Sequence, residues 1–263
     1  MPEGDTIFRA ARTLNAALAG RTVTRFESVF AHVARVNDGA PLSGRSIERV
    51  EARGKHLLIW FSGDLVLRTH MRMHGSWHLY RPGERWQRSR ADMRIVIGTP
   101  EYEAVAFSVP VAALTTRREL ERAAAVRELG PDILSPGFDA DAVVERMQQM
   151  PDVEVADALL DQTVVAGIGN IFKSESLFAS RVDPFARVGK LARGDLVRVV
   201  EAAHRLMQAS ATGRPAAGFA VYGRSGRPCR RCGTLISRRK QGEHARITYW
   251  CDRCQRRMPA PAG

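Results

Sequence analysis

The chain has no apolar run of membrane-spanning length, and its N-terminus lacks the apolar core of a secretory signal. Neither a spanning segment nor export is therefore expected, and a cytoplasmic location follows. It also has no Walker loop, no nucleophile elbow, no HExxH helix and no second cluster of metal ligands beyond one near its end. The chain thus lacks the motifs of P-loop hydrolases, of α/β-hydrolases and of HExxH metalloproteases. Cysteine is scarce, with four in all, spaced as Cys229-x2-Cys232 and Cys251-x2-Cys254. Confined to that pattern they offer no disulfide framework and suit a reducing compartment. Two CxxC pairs at this separation close a tetrahedral site for one structural Zn²⁺.

Acids are scarce around the same cysteines. From Gly223 to Gly263 there are 11 Lys or Arg against Glu243 and Asp252, a net of +9 within a chain whose total is +12. A metal-braced hairpin carrying most of the surplus positive charge points to a polyanion, nucleic acid first. The 44% hydrophobic and 26% charged composition is that of a globular protein able to build a core.

Along the chain, Asp5 to Ala19 reads as a helix, with Ile7, Ala11, Leu14 and Leu18 on one face, Asp5 placed to cap it and Gly20 to stop it. From Arg21 to about Val111 the runs become short and β-like. His56–Phe61, a Ser62-Gly63-Asp64 turn and Leu65–Leu67 form a hairpin signal, and Met93–Ile97 with Ala104–Phe107 a second pair. Several such strands argue for an antiparallel sandwich or barrel. The pattern turns helical near Thr116, Gly130-Pro131-Asp132 marks a break, and helices are expected at 139–149, 153–161, 170–180 and 194–211. Between the middle two lies Ala166-Gly167-Ile168-Gly169-Asn170, with Asn170 placed as an N-cap. That turn can seat a phosphate on a helix N-terminus, or it can be a plain helical corner. Residues 212–226 read as a flexible linker and 258–263 as a tail.

A nucleic-acid enzyme without a catalytic metal needs a nucleophile from elsewhere. Pro2 follows Met1, a small second residue after which the initiator methionine is ordinarily removed. Its nitrogen then becomes a secondary amine able to form a Schiff base with a sugar carbon, and Glu3 beside it can give or take a proton.

Met1-Pro2-Glu3-Gly4, Arg53-Gly54-Lys55-His56-Leu57, Gly130-Pro131-Asp132, Leu159-Leu160-Asp161-Gln162 leading into Ala166–Asn170, and Arg246–Cys251 occur in order along nearly the whole chain. Together they resemble the Fpg/Nei family of DNA glycosylases, formamidopyrimidine-DNA glycosylase and endonuclease VIII. The resemblance implies an α+β multidomain fold. An N-terminal antiparallel β-sandwich with flanking helices (1–128) precedes a helix-two-turn-helix domain (129–222), a zinc hairpin (223–257) and the tail. It implies Pro2 as the nucleophile at C1′ of the damaged nucleotide, Glu3 as the proton donor to the opening sugar, and Lys55 as a strand lysine over the lesion phosphate. Asn170 and Arg246 would grip phosphates around the flipped nucleotide, Arg246 also assisting strand scission. Arg72, Met73 and His74 occupy the place of the loop that fills the hole left by the flipped base, with Met73 the wedge. From the residues alone, Met71 and Met73 read as alternate faces of a strand, one of them core.

The implied activity is a bifunctional glycosylase and AP lyase of base-excision repair, acting on duplex DNA as a monomer and cutting by β,δ-elimination. Gly4, Trp77 after Gly75, the Leu-Leu-Asp-Gln run and a short 206–222 connection lean toward oxidised pyrimidines and endonuclease VIII. The alternatives are a purine-directed Fpg-type enzyme and an inactive zinc-hairpin DNA-binding paralogue. Asp5 and Thr6 depart from the Pro-acidic pair usual in the family.

Overall fold

The computed structural model describes residues 2–214 and 218–255. The expectations for removal of Met1 and for the tail at 258–263 fall outside those residues. The chain divides into two compact units, Met1–Glu128 and Leu129–Gly263.

The first unit opens with α1 (Gly4–Leu18). Asp5 does not cap it: the N-cap is Glu3 with no side-chain bond, and Asp5 lies buried in the first turn, accepting from Arg9 at 3.2 Å. A carboxylate there also meets the positive end of the helix. Strands β1 (Arg25–Ser28), β2 (Ile47–Arg53), β3 (His56–Phe61), β4 (Leu65–His70), β5 (Ser76–Tyr80), β6 (Met93–Gly98), β7 (Glu103–Phe107) and β8 (Val111–Thr116) form two four-stranded sheets, with α2 (Ala31–Gly39) between β1 and β2. The sheets run β2-β3-β4-β8 and β1-β6-β7-β5, every pairing antiparallel.

All six residues of β3 are buried, because both faces of this strand are covered. Leu57, Ile59 and Phe61 enter the core shared with α1 and with Ile95, Ile97, Ala104 and Ala106 of the other sheet. Leu58 and Trp60 point the other way, against Val66 and the short helices α3 (Arg117–Arg122) and α4 (Ala124–Arg127). Thr116 starts α3 with a capping box to Glu119. Strands β5 and β6 both oppose β7, so they run parallel to each other and 81–92 is a crossover. Its Trp86 packs on the outer cluster of Tyr80, Val96, Val105 and Phe107.

The second unit holds α5 (Ala140–Gln148), α6 (Val155–Leu160), α7 (Asn170–Ala179) and α8 (Arg193–Ala211) around a core that includes Val144, Leu159, Ile168, Leu177 and Val200. Strands β9 (Ser237–Gln241) and β10 (Arg246–Trp250) form the closing hairpin. The expected linker at 212–226 is held down over its described second part. The Glu175 carboxylate accepts from the backbone N–H groups of Ala220, Val221 and Tyr222 at 2.8–2.9 Å, and Val221 is fully buried.

Candidate functional site

In the first unit, Glu3 is buried and Pro2 half-buried at the head of α1. The Glu3 carbonyl accepts from the N–H groups of Thr6 and Ile7 at 3.0 and 3.1 Å, so the helix itself fixes the residue pair. The Pro2 nitrogen and Glu3 are thus neighbours at the start of a rigid helix.

Lys55 is not within a strand. Arg53 and His56 pair directly, leaving Gly54-Lys55 as a two-residue turn with Gly54 at φ +58°. A glycine at positive φ in the first turn position is what a tight hairpin of this kind requires, and it puts Lys55 at the tip.

Pairing of β3 with β4 then sets His56 opposite His70, their rings edge to face at 4.9 Å. Burial, the neighbouring His70 and Arg68 lower His56 to about 3. Burial, Lys55, Arg72 and Arg68 lower His70 to about 4. Both rings are therefore neutral at pH 7, flanked by permanent cations. Each histidine stands near a motif residue, and the cross-strand register brings the two together.

After β4 the chain turns tightly. Met71 is buried, while Arg72, Met73 and His74 are exposed, Met73 at 48%. The two methionines thus divide as core and surface, but on a turn rather than on a strand. Gly75 donates to the Met71 carbonyl at 2.9 Å, and a Cβ at Gly75 would lie 2.5 Å from that oxygen. Arg72 has φ +47°, a left-handed conformation strained for a residue with a side chain.

In the second unit, Gln162 shapes the glycine corner, accepting from Gly167 N at 3.1 Å and donating to the Leu160 and Ile168 carbonyls. Gly167 has φ +105°, with Ile133 against it. Asn170 is not the N-cap; Gly169 is, and Asn170 is the first residue of α7. Its side-chain amide instead donates to the Ile247 carbonyl at 2.8 Å, which brings it to the strand residue next to Arg246. Arg246 opens β10 and is exposed. The corner and the hairpin are therefore joined beside the two residues expected to hold phosphate.

The four cysteine sulfurs lie within 4.8 Å of one another, with Cys229–Cys254 at 3.9 Å and Cys232–Cys251 at 3.5 Å. Ligands about 2.3 Å from a tetrahedral centre are separated by about 3.8 Å, so the cluster fits Zn²⁺ coordinated by four thiolates. Turn bonds from Gly233 to the Cys229 carbonyl and from Cys254 to the Cys251 carbonyl preform both CxxC knuckles.

Comparison with known proteins covers the same elements. The formamidopyrimidine-DNA glycosylase N-terminal domain matches residues 1–109 and the H2TH domain of that enzyme matches residues 129–217. A probable endonuclease 8 2 of Streptomyces coelicolor is 41% identical over 99% of this chain and 96% of its own length. The DNA-(apurinic or apyrimidinic site) lyase Nei2 of Mycolicibacterium smegmatis is 37% identical over 97% of this chain and 99% of its own. The endonuclease 8 of Escherichia coli is 30% identical over 97% and 100%. Among solved structures, the Lactococcus lactis formamidopyrimidine-DNA glycosylase bound to abasic-site DNA superposes with a TM-score of 0.84, at 20% identity, over 97% of this chain and 100% of its own. That likeness is one of fold.

Proposed function

The chain belongs to the Fpg/Nei family of DNA glycosylases, and we propose that it is a bifunctional glycosylase and AP lyase of the endonuclease VIII type, acting on oxidised pyrimidines in duplex DNA. The observation that carries this reading is the Pro2–Glu3 pair anchored at the head of α1, in a chain that aligns end to end with relatives named endonuclease 8 and AP lyase.

With Met1 removed, the Pro2 nitrogen carries a lone pair. The positive end of α1 disfavours a second positive charge beside it, which keeps that amine nucleophilic. Attack on C1′ forms the C–N bond while the glycosidic bond breaks and the base leaves with its electron pair, taking up the proton that the Pro2 nitrogen sheds. Glu3 protonates the ring oxygen as the sugar opens, leaving an iminium link between Pro2 and C1′. The iminium acidifies the C2′ proton, and its loss expels the 3′ phosphate; a second elimination expels the 5′ phosphate, and water releases the sugar fragment. Lys55, at the tip of the β2–β3 turn, and Arg246, at the start of β10, would bind phosphates of the lesion strand. Asn170 would complete that grip. Arg72, Met73 and His74 would fill the space left by the flipped base, with Met73 between the neighbouring base pairs.

The zinc ion, held by Cys229, Cys232, Cys251 and Cys254, would brace the hairpin and take no part in the chemistry. The enzyme would act as a cytoplasmic, nucleoid-associated monomer.

Borohydride trapping tests the reading. Protein freed of Met1 is incubated with duplexes carrying thymine glycol, 8-oxoguanine or an abasic site and then reduced. Covalent adducts on the abasic and thymine glycol duplexes are expected. Absence of adducts on all three would overturn the enzyme assignment, and strongest trapping on 8-oxoguanine would favour a purine-directed enzyme.

A further inference from the structure

Lys173 is the most costly side chain in the second unit to bury, and it has no exposed surface at all. From α7 its ammonium donates to Thr248 Oγ1 of β10 at 2.6 Å. Thr248 Oγ1 in turn donates to Gln241 Oε1 of β9 at 2.6 Å. Gln241 Nε2 donates to Glu154 Oε2 at 2.7 Å and to the Pro184 carbonyl at 3.0 Å. The Asp157 carboxyl lies close enough to feel the Lys173 charge and packs against Gly242, where there is no room for a Cβ. A chain of polar groups, buried at Lys173, Thr248 and Gln241 and half-buried at Glu154, thus runs from the helix through both strands of the hairpin and back to the helical body.

Burial of an ion among hydrogen-bonding partners contributes little net stability, since desolvation offsets the attraction, and apolar packing would hold a hairpin as well. What such a network supplies is a unique register, because donors and acceptors match in one alignment only. Asn170, one turn before Lys173 on α7, bonds the Ile247 carbonyl. The helix therefore fixes two consecutive residues of β10, both directly after Arg246. A slip of one residue would carry Arg246 about 3.3 Å along the strand.

We propose that Lys173 is a positioning residue for Arg246, locking the register of β10 on α7 so that the guanidinium meets its phosphate. The zinc secures the base of the hairpin; Lys173 secures its alignment. The inference rests on the proposed phosphate role of Arg246.

The test compares Lys173→Met, Thr248→Val, Lys173→Arg, Arg246→Ala and the double variant Lys173→Met/Arg246→Ala in the full-length, zinc-loaded protein. Zinc content, melting temperature and single-turnover incision of an abasic-site duplex are measured for each. Displacement by an ångström or more costs catalysis on the order of a hundredfold. Lys173→Met and Thr248→Val should therefore keep one zinc per chain yet lose incision nearly as fully as Arg246→Ala, Lys173→Arg should recover part of it, and the double variant should be no worse than Arg246→Ala. Zinc-loaded Lys173→Met and Thr248→Val with wild-type incision would overturn the inference, as would losses that multiply in the double variant. Loss of zinc from all the Lys173 and Thr248 variants would overturn it too, marking the lysine as a folding element. A fully active Arg246→Ala would instead remove the role assigned to Arg246 itself, so the two failures are distinct.

Discussion

The backbone N–H of Arg72 donates a 3.0 Å hydrogen bond to Nδ1 of His70, two residues earlier at the end of β4. Acceptance at Nδ1 requires the neutral ring with its proton on Nε2. The same bond holds Arg72 in its left-handed conformation, and with it the turn that presents Met73. A loop that must enter a base stack gains from being set in advance, since each residue ordered only on binding costs conformational entropy. Burial of the His70 ring, with the cations Lys55, Arg72 and Arg68 around it, keeps the acceptor available at physiological pH.

Acid stability should report these rings. His56 and His70 titrate at about 3 and about 4 in the folded chain, against 6.5 as free side chains. Below about pH 6.5 the unfolded chain takes up protons that the folded chain refuses, so stability falls with falling pH and the loss levels off only below the folded values. For the buried His56 the slope approaches about 1.4 kcal/mol per pH unit in that window. Urea unfolding between pH 4 and pH 7 should show a shallower pH dependence in His56→Leu and in His70→Asn than in wild type. Unchanged slopes in both variants would mean that carboxylates govern the acid response.

Removing the proton donor should separate the two reactions. Glu3→Gln keeps the shape of a buried residue but cannot deliver a proton to the sugar oxygen. Base excision should fall by about 10²- to 10⁴-fold. A preformed abasic site already exists partly as an open aldehyde, so borohydride trapping there should fall much less. Equal losses on both substrates would place the contribution of Glu3 in binding rather than in proton transfer.

Much of this was legible in the sequence where the determinants are local. The His56–Phe61 and Leu65–Leu67 hairpin, the helix that begins near Pro2 and the paired CxxC knuckles each depend on residues a few positions apart. The run Arg-Gly-Lys-His reads as strand, and the positive φ of Gly54 is what sets Lys55 in a turn. Asn170 looked like a cap because Asn is a good one, yet its amide is taken by Ile247, 77 positions away. The link from Glu175 to Ala220–Tyr222, 45 to 47 positions away, is likewise long-range. Sequence patterns carry periodicity and turn chemistry; they do not carry which distant groups satisfy each other.

Loss of zinc should be felt locally. The cysteine cluster lies wholly in the second unit, while the first unit has its own core around Leu57, Phe61, Ile95 and α1. Chelation, or Cys→Ser at Cys229, Cys232, Cys251 or Cys254, should abolish binding to abasic-site DNA while leaving the melting transition of the β-sandwich in place, because the folding energy of a metal site is local. Calorimetry of the apoprotein reads this directly. Complete unfolding on chelation, or intact DNA binding without zinc, would contradict it.

The methionines at the end of β4 should divide stability from activity. Met71 is 2% exposed and belongs to the sandwich core, so Met71→Ala should destabilise the protein by about 2–5 kcal/mol. Met73 is 48% exposed, so Met73→Ala should change stability by no more than about 0.5 kcal/mol. If Met73 fills the space vacated by a flipped base, its loss should instead slow excision from duplex DNA. The same lesion in a single strand leaves no stack to fill, so kcat/KM there should be nearly unchanged. The ratio of duplex to single-strand kcat/KM therefore isolates the wedge from general damage to the site. A Met73→Ala protein that retains the wild-type ratio would show that the hole is filled by Arg72 or His74, and the corresponding alanine variants would then carry the loss.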